Sequence, residues 1–231
     1  IRDKWFDPNT HTFAGGRHGA EALALWAGIV PPPQQQAVAD AMARQIVENC
    51  DGHLDTGIYS TLRLLAMLTR YHHQDVAAGI MRKTTYPSLG FMIRNGQTTL
   101  LEYFEGIRNH NQPIFATYVE WMLTDVLGIR PDLQQPGYRN IILSPMLLDE
   151  LTWVQGRLQT PRGMVQVRWE RSPEQVLLRA QIPLGSTAQV RVPPNRQRVR
   201  VDGARVQTFE KDGGRWVRVA SGEHTVAFRN A

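Results

Sequence analysis

The periodicity of the apolar residues changes once along this 231-residue chain, and that change constrains the fold more than any other feature. In the first half, apolar residues recur every three or four positions, which is the spacing of one helix face. After Pro136-Gly137, short apolar runs are separated by turn signals, which is typical of antiparallel strands. The sequence therefore predicts an α+β multidomain protein, with helical hairpins over residues 1–133 and an antiparallel β-sandwich over residues 134–231.

The expected elements follow from the same patterns. Five helices are predicted, over residues 20–30, from residue 33, from residue 57, over residues 75–84 and over residues 113–128. The three prolines at 31–33 are expected to end the first helix. Eight strands are predicted, at residues 141–143, 151–154, 164–169, 176–182, 188–192, 199–201, 215–219 and 225–228.

Charge is distributed unevenly between the two predicted domains. Residues 1–133 carry 11 Lys+Arg and 13 Asp+Glu, whereas residues 134–231 carry 15 and 8. A basic domain can attract nucleic acid or an acidic polysaccharide. However, Arg198, Val199 and Arg200 alternate as they do on a half-buried strand, and no aromatic residues are interleaved with the arginines. We therefore predict a solvated strand face and no nucleic-acid partner.

The composition argues against several other classes of protein. The longest near-apolar run, residues 20–30, is too short to span a bilayer, so no membrane partner is predicted. Cys50 is the only cysteine, which excludes an internal disulfide and a multi-cysteine metal site; with no visible leader, this is compatible with a cytoplasmic protein. Phosphate-loop, zinc-protease and esterase motifs are absent, and we predict no metal and no cofactor. Because the first residue is Ile1 rather than Met, we expect the chain to be a piece of a longer protein.

The segment from Tyr86 to Gly106 contains the strongest candidate for chemistry. Glu102 lies among Leu101, Tyr103 and Phe104. An apolar environment raises the pKa of a carboxyl and suits it to acid–base catalysis, and aromatic rings beside carboxylates suit sugar binding. A partly buried glutamate neutralised by a nearby arginine would give the same local pattern, and the spacing leaves both interpretations open.

Several collinear motifs extend the pattern over nearly the whole chain. They are Trp5-Phe6-Asp7-Pro8, Gly16-Arg17-His18, Gly52-His53-Leu54-Asp55-Thr56-Gly57, Tyr86-Pro87-Ser88, Thr98-Thr99-Leu100-Leu101-Glu102, Asn111-Gln112-Pro113, Val119-Glu120-Trp121, Gly137-Tyr138-Arg139, Leu151-Thr152-Trp153-Val154 and Thr160-Pro161-Arg162-Gly163. In this order they resemble the bacterial α-L-rhamnosidase family of inverting glycoside hydrolases.

The resemblance implies a fold and a reaction. The helical domain is expected to form part of an (α/α)6 toroid, and the substrate to be a rhamnose-containing glycoside or polysaccharide. Glu102 would be the general base, and the general acid would lie in an N-terminal segment absent from this chain. Inverting hydrolysis needs two carboxyls about 6.5–9.5 Å apart. If the segment is helical, Glu105 shares a face with Glu102 and is too close, so we expect it to bind sugar or form a salt bridge.

The remaining candidate site residues are Phe104, Gln112, His110 and His53, all expected to bind substrate. The chain departs from the family pattern at Leu101, where Trp is usual, and at Gln112, where the family has a sugar-contacting His. His53 is expected either to line the pocket or to orient the turn at Asp55. The alternative function is a non-catalytic or divergent carbohydrate-binding fragment. A partial toroid also predicts an exposed apolar face through which the chain associates.

Overall fold

The protein folds into two compact units, the first ending at Trp121 and the second beginning at Met122. The structure is a computed structural model that describes the backbone of residues 2–229 and the side chains of residues 4–229. The sequence had suggested a change of domain at residue 133. The structural division comes earlier because strand Ile129–Pro131 pairs with strand Asn140–Leu143 in a sheet of the second unit.

The first unit is built from helices and one small hairpin. The helices are α1 Arg2–Trp5, α2 His18–Trp26, α3 Gln35–Asn49, α4 Ile58–Arg70, α5 Gln74–Arg82, α6 Leu89–Arg94 and α7 Thr117–Trp121. Single 3-10 turns, Pro32–Gln34 and Pro113–Ala116, precede α3 and α7. Strands β1 Phe6–Asp7 and β2 Thr12–Phe13 form the hairpin between α1 and α2.

The core of the helical unit lies on the predicted apolar faces. Val38, Met42 and Ile46 are fully buried along α3, as their spacing predicted. Helix α2 packs on both α3 and α4, and α4 packs on α5. Trp121 closes the unit, because its indole N–H donates to Thr69 Oγ1 at 2.8 Å.

Three features of the helices differ from the sequence expectation: the end of α2, the presence of α6 and the division of the last predicted helix. Helix α2 ends at Trp26 because Gly28 adopts a left-handed φ of 67°, so the following prolines begin the next helix instead of ending this one. Helix α6 was not predicted; it begins at Ser88, whose Oγ accepts the Phe91 N–H at 3.0 Å. The predicted helix over 113–128 is divided into a 3-10 turn, α7 and a π-turn, Met122–Val126.

The second unit contains two sheets. Its strands are β3 Ile129–Pro131, β4 Asn140–Leu143, β5 Trp153–Thr160, β6 Gly163–Arg171, β7 Gln175–Ile182, β8 Thr187–Arg191, β9 Arg198–Val201, β10 Ala204–Arg205, β11 Phe209–Lys211, β12 Gly214–Val219 and β13 Gly222–Arg229. Six strands are ordered β10-β9-β13-β7-β6-β5, and five are ordered β11-β12-β8-β4-β3. All eight predicted strands are present.

The two sheets share one apolar core, as a β-sandwich requires. Val167, Trp169 and Phe228 from the six-stranded sheet are packed with Ile141 and Val190 from the other. Among the described strands every pair is antiparallel except β4 with β8, which is parallel, so the unit is the predicted antiparallel sandwich with one parallel pairing.

The alternation of arginine and valine in β9 has the expected consequence. Arg198 and Arg200 are exposed while Val199 is 4% exposed, so the arginines face solvent and the valine faces the core. Among the helices that the structure describes, none is both long and apolar enough to cross a membrane.

Candidate active site

The segment around Glu102 is an irregular loop, not a helix. Between α6 and the 3-10 turn at Pro113, the chain is closed by two backbone hydrogen bonds. The Glu102 N–H donates to the Asn109 carbonyl at 2.8 Å, and the Gln112 N–H donates to the Leu100 carbonyl at 2.7 Å. Leu101 is fully buried and anchors the loop to the core. The expectation that Glu102 and Glu105 share a helix face, which assumed that this segment is helical, therefore does not apply.

Glu102 occupies a position that leaves its carboxylate available. The side chain is half-buried. Within residues 4–229, it makes no side-chain hydrogen bond and no ion pair, so no arginine neutralises it there. A carboxylate in this state retains its lone pairs for a water molecule or a substrate hydroxyl.

An aromatic cluster supports the same loop. The Phe104 ring lies 5.9 Å from the Phe115 ring and 6.2 Å from the Tyr86 ring, and Tyr86 also contacts Phe91 edge-on at 5.4 Å. These are the separations of packed aromatic pairs. Phe104 is half-buried, so part of its side chain is accessible. It lies two residues after Glu102 in the sequence.

Glu105 has a different environment from Glu102. Its side chain is exposed, and Tyr86 donates its phenolic hydrogen to Oε1. This hydrogen bond lowers the pKa of the Glu105 carboxyl and raises the pKa of the Tyr86 hydroxyl, because it stabilises the carboxylate as an acceptor. Glu105 therefore acts as a partner that fixes Tyr86 against the loop.

The two predicted binding residues after Glu105 lie on the far arm of the loop. His110 is exposed, and its Nε2 lies 2.8 Å from the Gly106 carbonyl. Gln112 is half-buried and is held through its backbone N–H, while its side-chain amide makes no hydrogen bond to another described residue. The backbone bonds of the loop therefore bring Glu102 and Gln112 onto facing arms.

His53 is buried and fully engaged by the protein. Its Nδ1 lies 3.1 Å from the Cys50 carbonyl, and its Nε2 lies 2.8 Å from Thr85 Oγ1. Because a carbonyl only accepts, Nδ1 carries the hydrogen, and in the neutral ring Nε2 accepts from the Thr85 hydroxyl. His53 thus connects the turn before α4 to the segment that leads into Ser88.

Two buried polar residues on α2 were not identified as candidates from the sequence. Glu21 and His18 are both fully buried. Glu21 Oε1 accepts the Phe13 N–H at 3.1 Å, and His18 Nε2 accepts the Asp55 N–H at 3.1 Å. Burial raises the pKa of Glu21 to about 7 and lowers the pKa of His18. The sequence signals were the Gly16-Arg17-His18 motif for His18 and the interruption of an apolar run for Glu21.

Two family models and several curated relatives similar to this chain are those of alpha-L-rhamnosidases. Residues 1–126 match the model of the bacterial alpha-L-rhamnosidase six-hairpin glycosidase domain, and residues 128–207 match that of the bacterial alpha-L-rhamnosidase C-terminal domain. An alpha-L-rhamnosidase of Streptomyces avermitilis is 30% identical over 78% of this chain and 18% of its own length. One from Alteromonas sp. (strain LOR) is 26% identical over 84% of this chain and 22% of its own length.

Solved structures agree with these matches. The alpha-L-rhamnosidase from Dictyoglumus thermophilum superposes with a TM-score of 0.88 at 28% identity, over 99% of this chain and 27% of that one. The Streptomyces avermitilis enzyme complexed with L-rhamnose gives 0.86 at 28% identity, over 98% of this chain and 23% of that one. The chain spans about a fifth of the length of the curated relatives it matches.

The comparisons confirm the resemblance drawn from the motifs and the fold class that it implied. The six-hairpin model covers more than half of the chain, and the β-rich unit matches the domain that follows it in the family. The chain belongs to the bacterial α-L-rhamnosidase family of six-hairpin glycosidases.

Proposed function

We propose that this chain forms part of an α-L-rhamnosidase that hydrolyses terminal α-L-rhamnosides with inversion, with Glu102 as the general base. The observation that carries the proposal is the state of Glu102. It ends the Thr98-Thr99-Leu100-Leu101-Glu102 motif, is half-buried, and has no protein partner among the described residues. In this role its carboxylate takes a proton from water as the water attacks the anomeric carbon.

The general acid is proposed to come from a part of the full protein that this chain does not contain. An inverting displacement needs one carboxyl on each face of the sugar, so Glu102 cannot perform both steps. Glu105 is a poor acid because its hydrogen bond from Tyr86 lowers the pKa of its carboxyl and keeps it ionised. The large share of each relative that lies outside this chain leaves room for the acid.

The loop supplies the proposed contacts to the sugar. The accessible part of the Phe104 ring would pack against the C–H face of the pyranose, while the Gln112 amide would hydrogen-bond a hydroxyl. His110 would reach the sugar from the exposed arm, with its ring oriented by the Gly106 carbonyl. His53 is proposed to act as a positioning residue, because both of its ring nitrogens are engaged by the protein.

The proposal is tested in the full-length protein with an aryl α-L-rhamnoside. Loss of a general base removes about 10²–10⁴-fold of the rate, so Glu102→Gln is expected to lower kcat by that factor while KM changes little. Glu105→Gln is the matched comparison: it removes a neighbouring carboxylate that accepts the Tyr86 hydroxyl, and it is expected to raise KM more than it lowers kcat. Equal losses in the two variants would mean that the loop is merely disturbed.

The alternative, a divergent fragment that binds glycan without cleaving it, corresponds to a distinct outcome. The full-length wild-type protein would then bind rhamnoside and release no sugar. The departures at Leu101 and Gln112 provide the reason to test it. Leu101 is fully buried, so its substitution for the usual Trp changes the support of the loop, and not a group that faces solvent.

We also propose that the helical unit associates through an exposed apolar surface. Leu23 and Trp26 on α2 are 36% and 51% exposed, and Tyr59 on the neighbouring α4 is 70% exposed. Side chains of this size are costly to leave in water. Sedimentation of the chain is expected to show self-association or pairing with a chain that carries more of the toroid. A strictly monomeric species that Trp26→Ser does not alter would contradict this.

A further inference from the structure

A cleft lies on the outer face of the six-stranded sheet, away from the sandwich core. It is formed by outward-pointing residues of β5, β6, β7 and β13, and its volume is about 770 Å³. Clefts of about 300–1,000 Å³ are the size at which proteins bind small ligands. All of its lining residues belong to the second unit, and none belongs to the Glu102 loop.

One row of side chains crosses the cleft from strand to strand. The register aligns Arg157 with Gln166, Gln166 with Gln181, and Gln181 with Glu223. Three strand spacings separate the ends of this row, or about 14 Å. Arg157 and Glu223 therefore lie too far apart to neutralise each other directly. We call these four residues the polar row.

The polar row differs from its neighbours in having unused hydrogen-bonding groups. In the adjacent row, Arg168 donates to Gln155 at 2.8 Å and to Glu170 at 2.6 Å, and Arg179 donates to Glu170 at 2.7 Å. The side chains of the polar row make no such bond to any residue within 4–229. Two amides, a guanidinium and the Glu223 carboxylate therefore have no side-chain partner among the described residues and are available to a ligand.

The charge of the cleft narrows the choice of ligand. Arg168 and Arg179 both form ion pairs with Glu170. Arg157, the one cation of the polar row, forms no ion pair with a described residue. One unpaired guanidinium suits one carboxylate, whereas nucleic acid needs several phosphate contacts and stacking rings. The aromatic residue on the same face of β5 is Trp153, two outward positions before Arg157, and the Arg168 guanidinium already lies 4.5 Å from its ring centroid.

We propose that the polar row binds a carboxylate-bearing oligosaccharide, with Arg157 taking the carboxylate and Gln166 and Gln181 taking sugar hydroxyls. Amide groups can donate to one hydroxyl and accept from another, and the guanidinium binds a carboxylate through two parallel hydrogen bonds. This site does not depend on the proposed role of Glu102, because it involves neither the helical unit nor hydrolysis. It makes the β-sandwich a sugar-binding surface.

The test measures binding to the full chain by titration calorimetry, with a trisaccharide that contains a single uronate residue as the probe and its methyl ester as the uncharged match. The acid is expected to bind about tenfold more tightly than the ester, the lower range for a hydrogen bond to a charged group. Arg157→Gln should abolish that difference and leave ester binding unchanged. Arg205→Gln, which removes an exposed arginine from β10 of the same sheet, should change neither.

A second variant tests the amides. Gln166→Ala combined with Gln181→Ala is expected to weaken both ligands about tenfold, because each amide loses its hydroxyl contact. The preference for acid over ester should weaken as salt is raised. Absence of binding, equal binding of acid and ester, an equal effect of Arg205→Gln, or tighter binding of a single-stranded oligonucleotide would each overturn the proposal.

Discussion

Replacement of Glu21 by glutamine is expected to stabilise the protein, and to do so only when the pH is high enough to ionise the native glutamate. Glu21 is fully buried on α2, its Oε1 accepts the Phe13 N–H at 3.1 Å, and its Oε2 has no partner among the described residues. Glutamine keeps an oxygen for the Phe13 N–H and removes the charge. The substitution therefore isolates the cost of burying a carboxylate.

The magnitude follows from the pKa. Burial raises the pKa of Glu21 from 4.5 to about 7, against the opposing effect of the Phe13 hydrogen bond. A carboxyl whose pKa is higher in the folded state stabilises the fold fully below the lower value and loses that contribution as the pH rises to about 7. At about 1.4 kcal/mol per pH unit, the cost of the ionised form above pH 7 is about 3 kcal/mol.

Urea denaturation of wild type and Glu21→Gln at pH 5 and pH 8 measures this cost. The variant is expected to gain about 2 kcal/mol relative to wild type between the two pH values, because part of the titration lies below pH 5. The lowered pKa of His18 removes stability as the pH falls below its ordinary range, but this acts on both proteins and cancels in the difference.

A matched control and a clear contrary result complete the test. Glu48→Gln removes an exposed glutamate from the neighbouring α3 and should change stability by no more than about 0.5 kcal/mol at either pH. A difference between wild type and Glu21→Gln that is the same at pH 5 and pH 8 would refute the reasoning, since it would mean that Glu21 titrates as an exposed carboxyl does.

Three further substitutions test local features by their effect on unfolding free energy. Ser88→Ala removes the oxygen that accepts the Phe91 N–H at the start of α6 and should cost about 1–2 kcal/mol; no change would mean that the cap contributes nothing. Gly128→Ala should lower the unfolding free energy far more than Gly96→Ala. Both glycines have a left-handed φ, but only at Gly128 would the new Cβ lie 2.3 Å from a backbone atom. Equal losses in the two variants would contradict the clash. Trp169→Phe removes an indole N–H that donates to a backbone carbonyl at 3.0 Å, and it should lower the unfolding free energy by about 1–3 kcal/mol in urea denaturation. A smaller loss would mean that water replaces the donor.

The strands were predictable because local sequence determines both their faces and their ends. Alternation fixes which side of β9 is buried, and the turn at Asp202-Gly203 adopts left-handed φ values of 51° and 82°, as this dipeptide favours. The parallel pairing of β4 with β8 was not predictable, since it joins segments 47 residues apart. There Asn140 donates to Asp132 at 2.8 Å and accepts from the Thr187 hydroxyl at 3.0 Å, a buried network that no periodicity reveals.

The sequence indicated candidate site residues, whose roles remain predictions, but it did not indicate their geometry. Glu102 was identified from a motif and its aromatic neighbours, and those signals do not depend on backbone conformation. The irregular loop arises from two backbone hydrogen bonds and the burial of Leu101, which leave no regular pattern in the sequence. The burial of Glu21 was not predicted because a glutamate within an apolar stripe is usually exposed to solvent. Its hydrogen bond from the Phe13 N–H depends on the fold and leaves no signal in the sequence.

Azide rescue of Glu102→Ala in the full-length protein tests the central claim most directly. If Glu102 activates water for attack, the shortened side chain leaves space for azide, a nucleophile that needs no base. Added azide should then restore turnover of an activated aryl rhamnoside and give a rhamnosyl azide with inverted anomeric configuration. A variant that turns over normally without azide, or one whose product retains its configuration, would contradict the assignment of Glu102 as the base.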